Sequence, residues 1–254
     1  MGYFYGGIDS YTKLMLHCNG VDASTTFTDD EITPKAVTAV GNAQIDTAQK
    51  VFGTGSGLFD GTGDYLSVVD HADWDFGSGN FTIDFRVRFA AFTEDHGDNA
   101  MIFDHGDDDD HRICLNYVSA TWWYFIVTDG TTKALYTWAV THNVDTWYHI
   151  ALIRNATTMD LYVNGIALAK TETTAISTNS VGSYAAAVLV GINKDTAGQP
   201  FNGWLDEYRV STGIARWTAN FTPPDDEYWV TTATTNSLFY PRGRTRFPGS
   251  ITGI

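Results

Sequence analysis

Nine residues, Phe81 to Phe89, limit the fold more than any other stretch of the chain. Phe81, Ile83, Phe85, Val87 and Phe89 alternate with Thr82, Asp84, Arg86 and Arg88. Period-two alternation places one set against a core and the other toward water, as in a half-buried β-strand. Further strand-type runs follow at short intervals. They are Lys13 to Cys18, Asp64 to Val69, Met101 to Phe103, Arg112 to Tyr117, Trp122 to Val127, Lys133 to Val140, Trp147 to Arg154, Met159 to Val163, Ile166 to Lys170, Val188 to Ile192 and Trp204 to Val210. Asp129-Gly130 and Asn164-Gly165 are reversal signals, and Asn-Gly suits a type I′ turn because both central residues need positive φ. Helix signals are almost absent, with one helical turn expected at Gly213 to Trp217. Many short, closely spaced strands define a sandwich or barrel. A length of 254 residues fits one such domain.

The charge balance narrows the partners. Fifteen Lys and Arg stand against 30 Asp and Glu, a formal charge of -15. A phosphate-neutralising surface needs clustered cations, so nucleic acid and anionic membrane are poor partners. The last fifteen residues, Tyr240 to Ile254, reverse the trend. They hold Arg242, Arg244 and Arg246 and no acidic residue, which leaves the body with 12 basic and 30 acidic side chains. Pro223-Pro224 marks where the body ends and an irregular extension begins. The expected organisation is a segment 1–12, a sandwich 13–224 and an extension 225–254 ending in the basic tail. The first twenty residues do not read as a signal peptide, and no apolar run reaches the roughly 18 residues of a membrane helix. A soluble protein is expected. Cys18 and Cys114 lie in apolar strand contexts, as buried free thiols or as a disulfide pair.

Four motifs in order resemble one family. Phe59-Asp60-Gly61-Thr62-Gly63-Asp64-Tyr65-Leu66 is similar to its entry segment, and Phe76-Gly77-Ser78-Gly79-Asn80-Phe81-Thr82-Ile83 to its next strand start. Trp147 to Leu152 with Leu161 to Gly165 resembles the central hairpin, and Gly203-Trp204-Leu205-Asp206-Glu207-Tyr208-Arg209-Val210 the closing strand. Together they resemble the LamG-like jelly rolls of the concanavalin A-like lectin/glucanase superfamily, over roughly Lys13 to Pro224. The resemblance implies an all-β, two-sheet antiparallel jelly-roll sandwich, often with a structural calcium near one edge. It implies no particular activity, because its members include carbohydrate-binding modules, adhesion domains and accessory domains of phage virion proteins.

The resemblance would place a calcium among Asp29 and Asp30, Asp60 and Asp64, and Asp206. The competing reading makes Asp29-Asp30 a solvated turn, Asp60-Gly61 a β-turn and Asp206 a hydrogen-bonded edge residue. Asp107 to Asp110 is expected to be a solvated loop because four consecutive carboxylates repel one another. Asp107 and Asp109 are its candidate ligand contacts. Trp122-Trp123-Tyr124 offers aromatic faces for sugar rings. In a strand Trp122 and Tyr124 share one side and Trp123 takes the other, so part of the cluster is core. Glycoside hydrolysis needs two opposed carboxylates, and the family's glucanase triplet on one strand is missing. Adjacent Asp206 and Glu207 are expected to point to opposite faces.

The expected function is therefore non-catalytic. One reading is a virion structural protein, decorating a capsid or associated with a fibre or tail. It would be held to other virion proteins by Arg242, Arg244 and Arg246, would self-associate, and would display a domain able to bind surface glycans. The other is a stand-alone carbohydrate-binding lectin.

Overall fold

The computed structural model describes residues 7–92, 99–194 and 198–229. Arg242, Arg244 and Arg246 lie outside the described residues. Sixteen strands follow in chain order: β1 (Thr12–Leu16), β2 (Val37–Val40), β3 (Gln44–Asp46), β4 (Ser56–Asp60), β5 (Tyr65–Val68), β6 (Phe81–Phe89), β7 (Ala100–Asp108), β8 (His111–Val118), β9 (Trp122–Asp129), β10 (Thr132–Ala139), β11 (Trp147–Asn155), β12 (Thr158–Val163), β13 (Ile166–Ala167), β14 (Lys170–Thr174), β15 (Val188–Val190) and β16 (Asn202–Thr212). Among the described residues the helical content is one 3-10 turn, Ala72–Trp74. The turn expected at Gly213 to Trp217 does not form; that stretch runs irregularly.

The strands build two antiparallel sheets. Sheet one has the order β13-β12-β11-β6-β16-β4-β3, with β1 also paired to β16. Sheet two has the order β14-β10-β9-β8-β7-β15-β5-β2. The inward faces meet as the alternation predicts. From β6, Phe81 packs 6.4 Å from Phe125, Phe85 lies 6.0 Å from Trp123, and Phe89 lies 5.1 Å from Tyr117, centroid to centroid. All of these rings are fully buried. Burying each contributes on the order of 2–3 kcal/mol. This is a two-sheet jelly-roll sandwich.

Both cysteines are free and buried. Asn164 (φ 49°) and Gly165 (φ 78°) form the turn between β12 and β13. Gly165 has a second reason to be glycine, since a Cβ there would collide with the Phe221 carbonyl.

The outward residues of β6 depart from expectation. Thr82 and Asp84 are fully buried, and Arg86 is half-buried. The chain after β16 folds back across this face. Trp217 and Phe221 stack at 4.1 Å and meet His149 of β11 edge-on, each at 5.7 Å. Phe221 also meets Tyr162 of β12 at 5.5 Å. The charges beneath are paired. Arg209 grips Asp84 with Nε to Oδ1 at 2.9 Å and Nη2 to Oδ2 at 3.1 Å. The Tyr228 hydroxyl donates to Asp84 Oδ2 at 2.6 Å, and its ring lies 3.7 Å from the Arg209 guanidinium. Burial alone would raise the Asp84 pKa. The Arg209 charge, with His149, outweighs it and holds the carboxyl well below the usual range. A β-strand's outward side meets water only where nothing else in the chain covers it.

Candidate functional site

The outer face of sheet two is the candidate. On β9 the inward residues Trp123, Phe125 and Val127 are fully buried, while Trp122 is 43% exposed and Tyr124 is half-buried. The strand's alternation thus splits the cluster: Trp122 and Tyr124 lie outward on one side, Trp123 is core. The Trp123 indole donates to His142 Nε2 at 2.9 Å, which fixes it inward. Antiparallel register supplies the neighbours. Tyr124 is flanked by Asn116 on β8 and Thr137 on β10, and Trp122 by Val118 and Ala139. Asn116 is nearly buried; its Nδ2 reaches Gln199 Oε1 at 3.5 Å and its Oδ1 has no partner. The Cys114 thiol on the same side of β8 is pushed up to about 12 by burial and is inert.

The acidic run sits at the far end of this face. Asp107 to Asp110 form the exposed β7–β8 hairpin tip. Asp108 Oδ1 meets His111 Nδ1 at 2.9 Å, and Asp109 meets Arg112 at 2.5 Å. Arg112 pairs in register with Thr128, six residues along β9 from Trp122. That separation is about 20 Å of strand. The structure therefore brings Trp122 and Tyr124 together with Asn116 and Thr137, and leaves Asp107 and Asp109 at the other end. Asn116, Thr137 and Arg112 carry no signal of their own; only the pairing register identifies them.

The five candidate calcium aspartates occupy separate settings. Asp29 is buried and accepts three backbone N–H bonds, from Met15, Glu31 and Lys35, at 2.9–3.2 Å. It ties β1 to the following turn. Asp30 is exposed, and its carboxyl accepts the His17 backbone N–H. Asp64 accepts from Asn42 N at 2.7 Å and Asp60 N at 2.9 Å, while Asp60 accepts from Thr62 N and Asn42 Nδ2, both at 2.7 Å. Asp206 Oδ2 accepts from Val51 N at 2.7 Å and Phe52 N at 3.1 Å; its Oδ1 is buried without a partner. Burial pushes the Asp206 carboxyl up to about 7. Among the described residues, no three of these carboxylates come within 4.8 Å of one another; the group that does is His17, Glu207 and Glu227.

Glu207 corrects an expectation. Leu205 and Tyr208 both enter the core, and the register with β6 shifts between Asp206 and Arg209. An extra residue in the strand is a β-bulge. It leaves Asp206 and Glu207 both on the outer face, with Glu207 at φ 50°. Glu207 Oε2 accepts the Tyr228 N–H at 2.8 Å, tying the covering segment to the strand.

The fold defines a two-sheet antiparallel β-sandwich of the concanavalin A-like kind. The chain belongs to the concanavalin A-like lectin/glucanases superfamily: a laminin G family model of that description matches residues 60–216, more than half of its length. No curated protein matches the chain. Among solved structures it is similar to the binding domain of Paraclostridial Mosquitocidal Protein 1, with 14% identity and a TM-score of 0.58 over 81% of this chain and 50% of that one. It is also similar to the Botulinum neurotoxin serotype D binding domain, at 13% and 0.56 over 81% and 49%. The serotype G binding domain gives 12% and 0.59 over 80% and 48%. The chain spans about half the length of these structures, and at such identities the likeness is one of fold. No helix among the described residues is long and apolar enough to cross a membrane.

Proposed function

We propose that this is a non-catalytic carbohydrate-binding domain whose glycan lies along the outer face of sheet two, over Trp122 and Tyr124. The observation that carries the reading is an exposed indole beside a half-buried phenol on one strand, with Asn116 and Thr137 as cross-strand neighbours. Flat aromatic faces take the apolar sides of sugar rings, and side-chain amides and hydroxyls take their hydroxyl groups. Membership of a superfamily that includes lectins supports it, as does likeness to domains described as binding domains. A glycan array of the purified protein, with and without calcium, tests it. Saturable binding to a defined sugar, lost in Trp122→Ala without release of hydrolysis products, is expected. A blank array in both conditions contradicts it.

A second reading concerns where the domain is displayed. The basic tail on an acidic body favours a virion structural protein docked through Arg242, Arg244 and Arg246 to an acidic partner. Truncation after Trp229 tests this, because Tyr228 is buried against Asp84 and must be kept. Loss of assembly with glycan binding intact is expected; unaffected assembly contradicts the docking role.

A further inference from the structure

Three segments distant in sequence meet at the end of β1. His17 follows that strand, Glu207 is the bulge residue of β16, and Glu227 lies in the covering segment. One ligand atom from each, an imidazole nitrogen and two carboxylate oxygens, lies within 4.8 Å of the others. Glu207 is 2% exposed, with Oε1 2.6 Å from His17 Nδ1. Glu227 Oε1 accepts from Asn19 Nδ2 at 2.6 Å. Gly53 makes room for this carboxylate: at φ 55°, any Cβ there would collide with Glu227 Oε1 and Asn19 Oδ1.

Negative charge is in excess here. Asp30 accepts the His17 backbone N–H, close to Glu227. Asp206, next to Glu207 on the same outer face, is fully buried with Oδ1 unpartnered. Among the described residues no lysine or arginine forms an ion pair with Asp30, Asp206, Glu207 or Glu227. Arg86, in register with Asp206 on the same face, and the His17 imidazole are the cationic groups set against these four carboxylates, which outnumber them.

We infer that His17, Glu207 and Glu227 form a binding site for a divalent transition-metal ion such as zinc. One imidazole with carboxylates is a donor set for zinc, nickel or manganese; calcium takes oxygen alone. Around a tetrahedral zinc the ligand atoms stand about 3.3 Å apart, so His17 and Glu207 need only open slightly from hydrogen-bond contact. The fourth position is left to water. The ion would join β1, β16 and the covering segment at one point, which makes it a structural staple. It is a different site from the five-aspartate set, of which only Asp30 and Asp206 adjoin it.

The test is calorimetric titration of the EDTA-stripped full chain with Zn²⁺ and, separately, Ca²⁺. His17→Asn and Glu227→Gln are titrated beside it, because both positions are partly exposed and tolerate change better than Glu207. One zinc per chain, a raised melting temperature, no comparable effect of calcium, and affinity reduced more than about tenfold in each variant are expected. Absence of stoichiometric zinc binding overturns the inference. So does zinc binding that survives in both variants, which would place the ion elsewhere, or a site that prefers calcium.

Discussion

The two outer faces of this sandwich start from the same strand grammar and end differently. On sheet one, the outward side of β6, β11 and β16 carries Asp84, His149 and Arg209, and residues 213–229 seal it under Trp217, Phe221 and Tyr228. On sheet two, the outward side of β9 carries Trp122 and Tyr124, and Trp122 stays 43% exposed. Charge lies beneath the cover and aromatic surface lies in the open, the reverse of what hydrophobicity alone would assign. The covered face is a second small core with a satisfied ion pair. The open one keeps Trp122 and Tyr124 side by side at the surface, where a ligand can reach them.

The contrast breaks most visibly at Asp84. Asp84→Ala strands the Arg209 guanidinium and is expected to cost about 3–5 kcal/mol in urea unfolding. A loss below about 1 kcal/mol would mean the cover is not tightly closed. Acid probes the interior side of β9. Burial lowers the His142 pKa to about 4 from an unfolded value near 6.5. The folded state thus binds fewer protons than the unfolded one between those values, so stability falls as pH drops from about 6.5 to about 4. The full effect is on the order of 3 kcal/mol. His142→Phe should flatten that part of the pH–stability curve; an unchanged slope would contradict it. Tyr228→Phe removes one charge-assisted hydrogen bond under the cover and should cost about 1.5–3 kcal/mol, read by the same unfolding curve. Trp122→Ala should cost about 1–2 kcal/mol, because its side chain is 43% exposed and the rest is covered. Its neighbour Trp123→Ala should cost about 3–5 kcal/mol.

Strands with strong apolar periodicity were legible, and β6, β8, β9, β10, β11 and β12 lie within two residues of the expected bounds. β2 and β3 were not, because Val37–Val40 and Gln44–Asp46 are too short to show a period. The bulge at Asp206 and Glu207 inserts one residue, and alternation carries no mark of that. Asp84 and Arg86 read as water-facing because the segment that covers them comes more than 120 residues later. For the same reason no spacing rule links positions 17, 207 and 227. Trp122 and Tyr124 were legible as residues sharing a side; which side faces out was decided by the partners of Trp123.

The most direct test of the contrast is a parallel titration of an array-identified glycan against Trp122→Ala and Phe221→Ala, each with its urea unfolding curve. Trp122→Ala is expected to lose binding while keeping a midpoint closer to wild type than that of Trp123→Ala. Phe221→Ala, on the covered face, should lower the midpoint and keep the affinity of the folded protein. Wild-type affinity in Trp122→Ala, or loss of affinity confined to Phe221→Ala, would contradict the assignment of the open face as the binding surface.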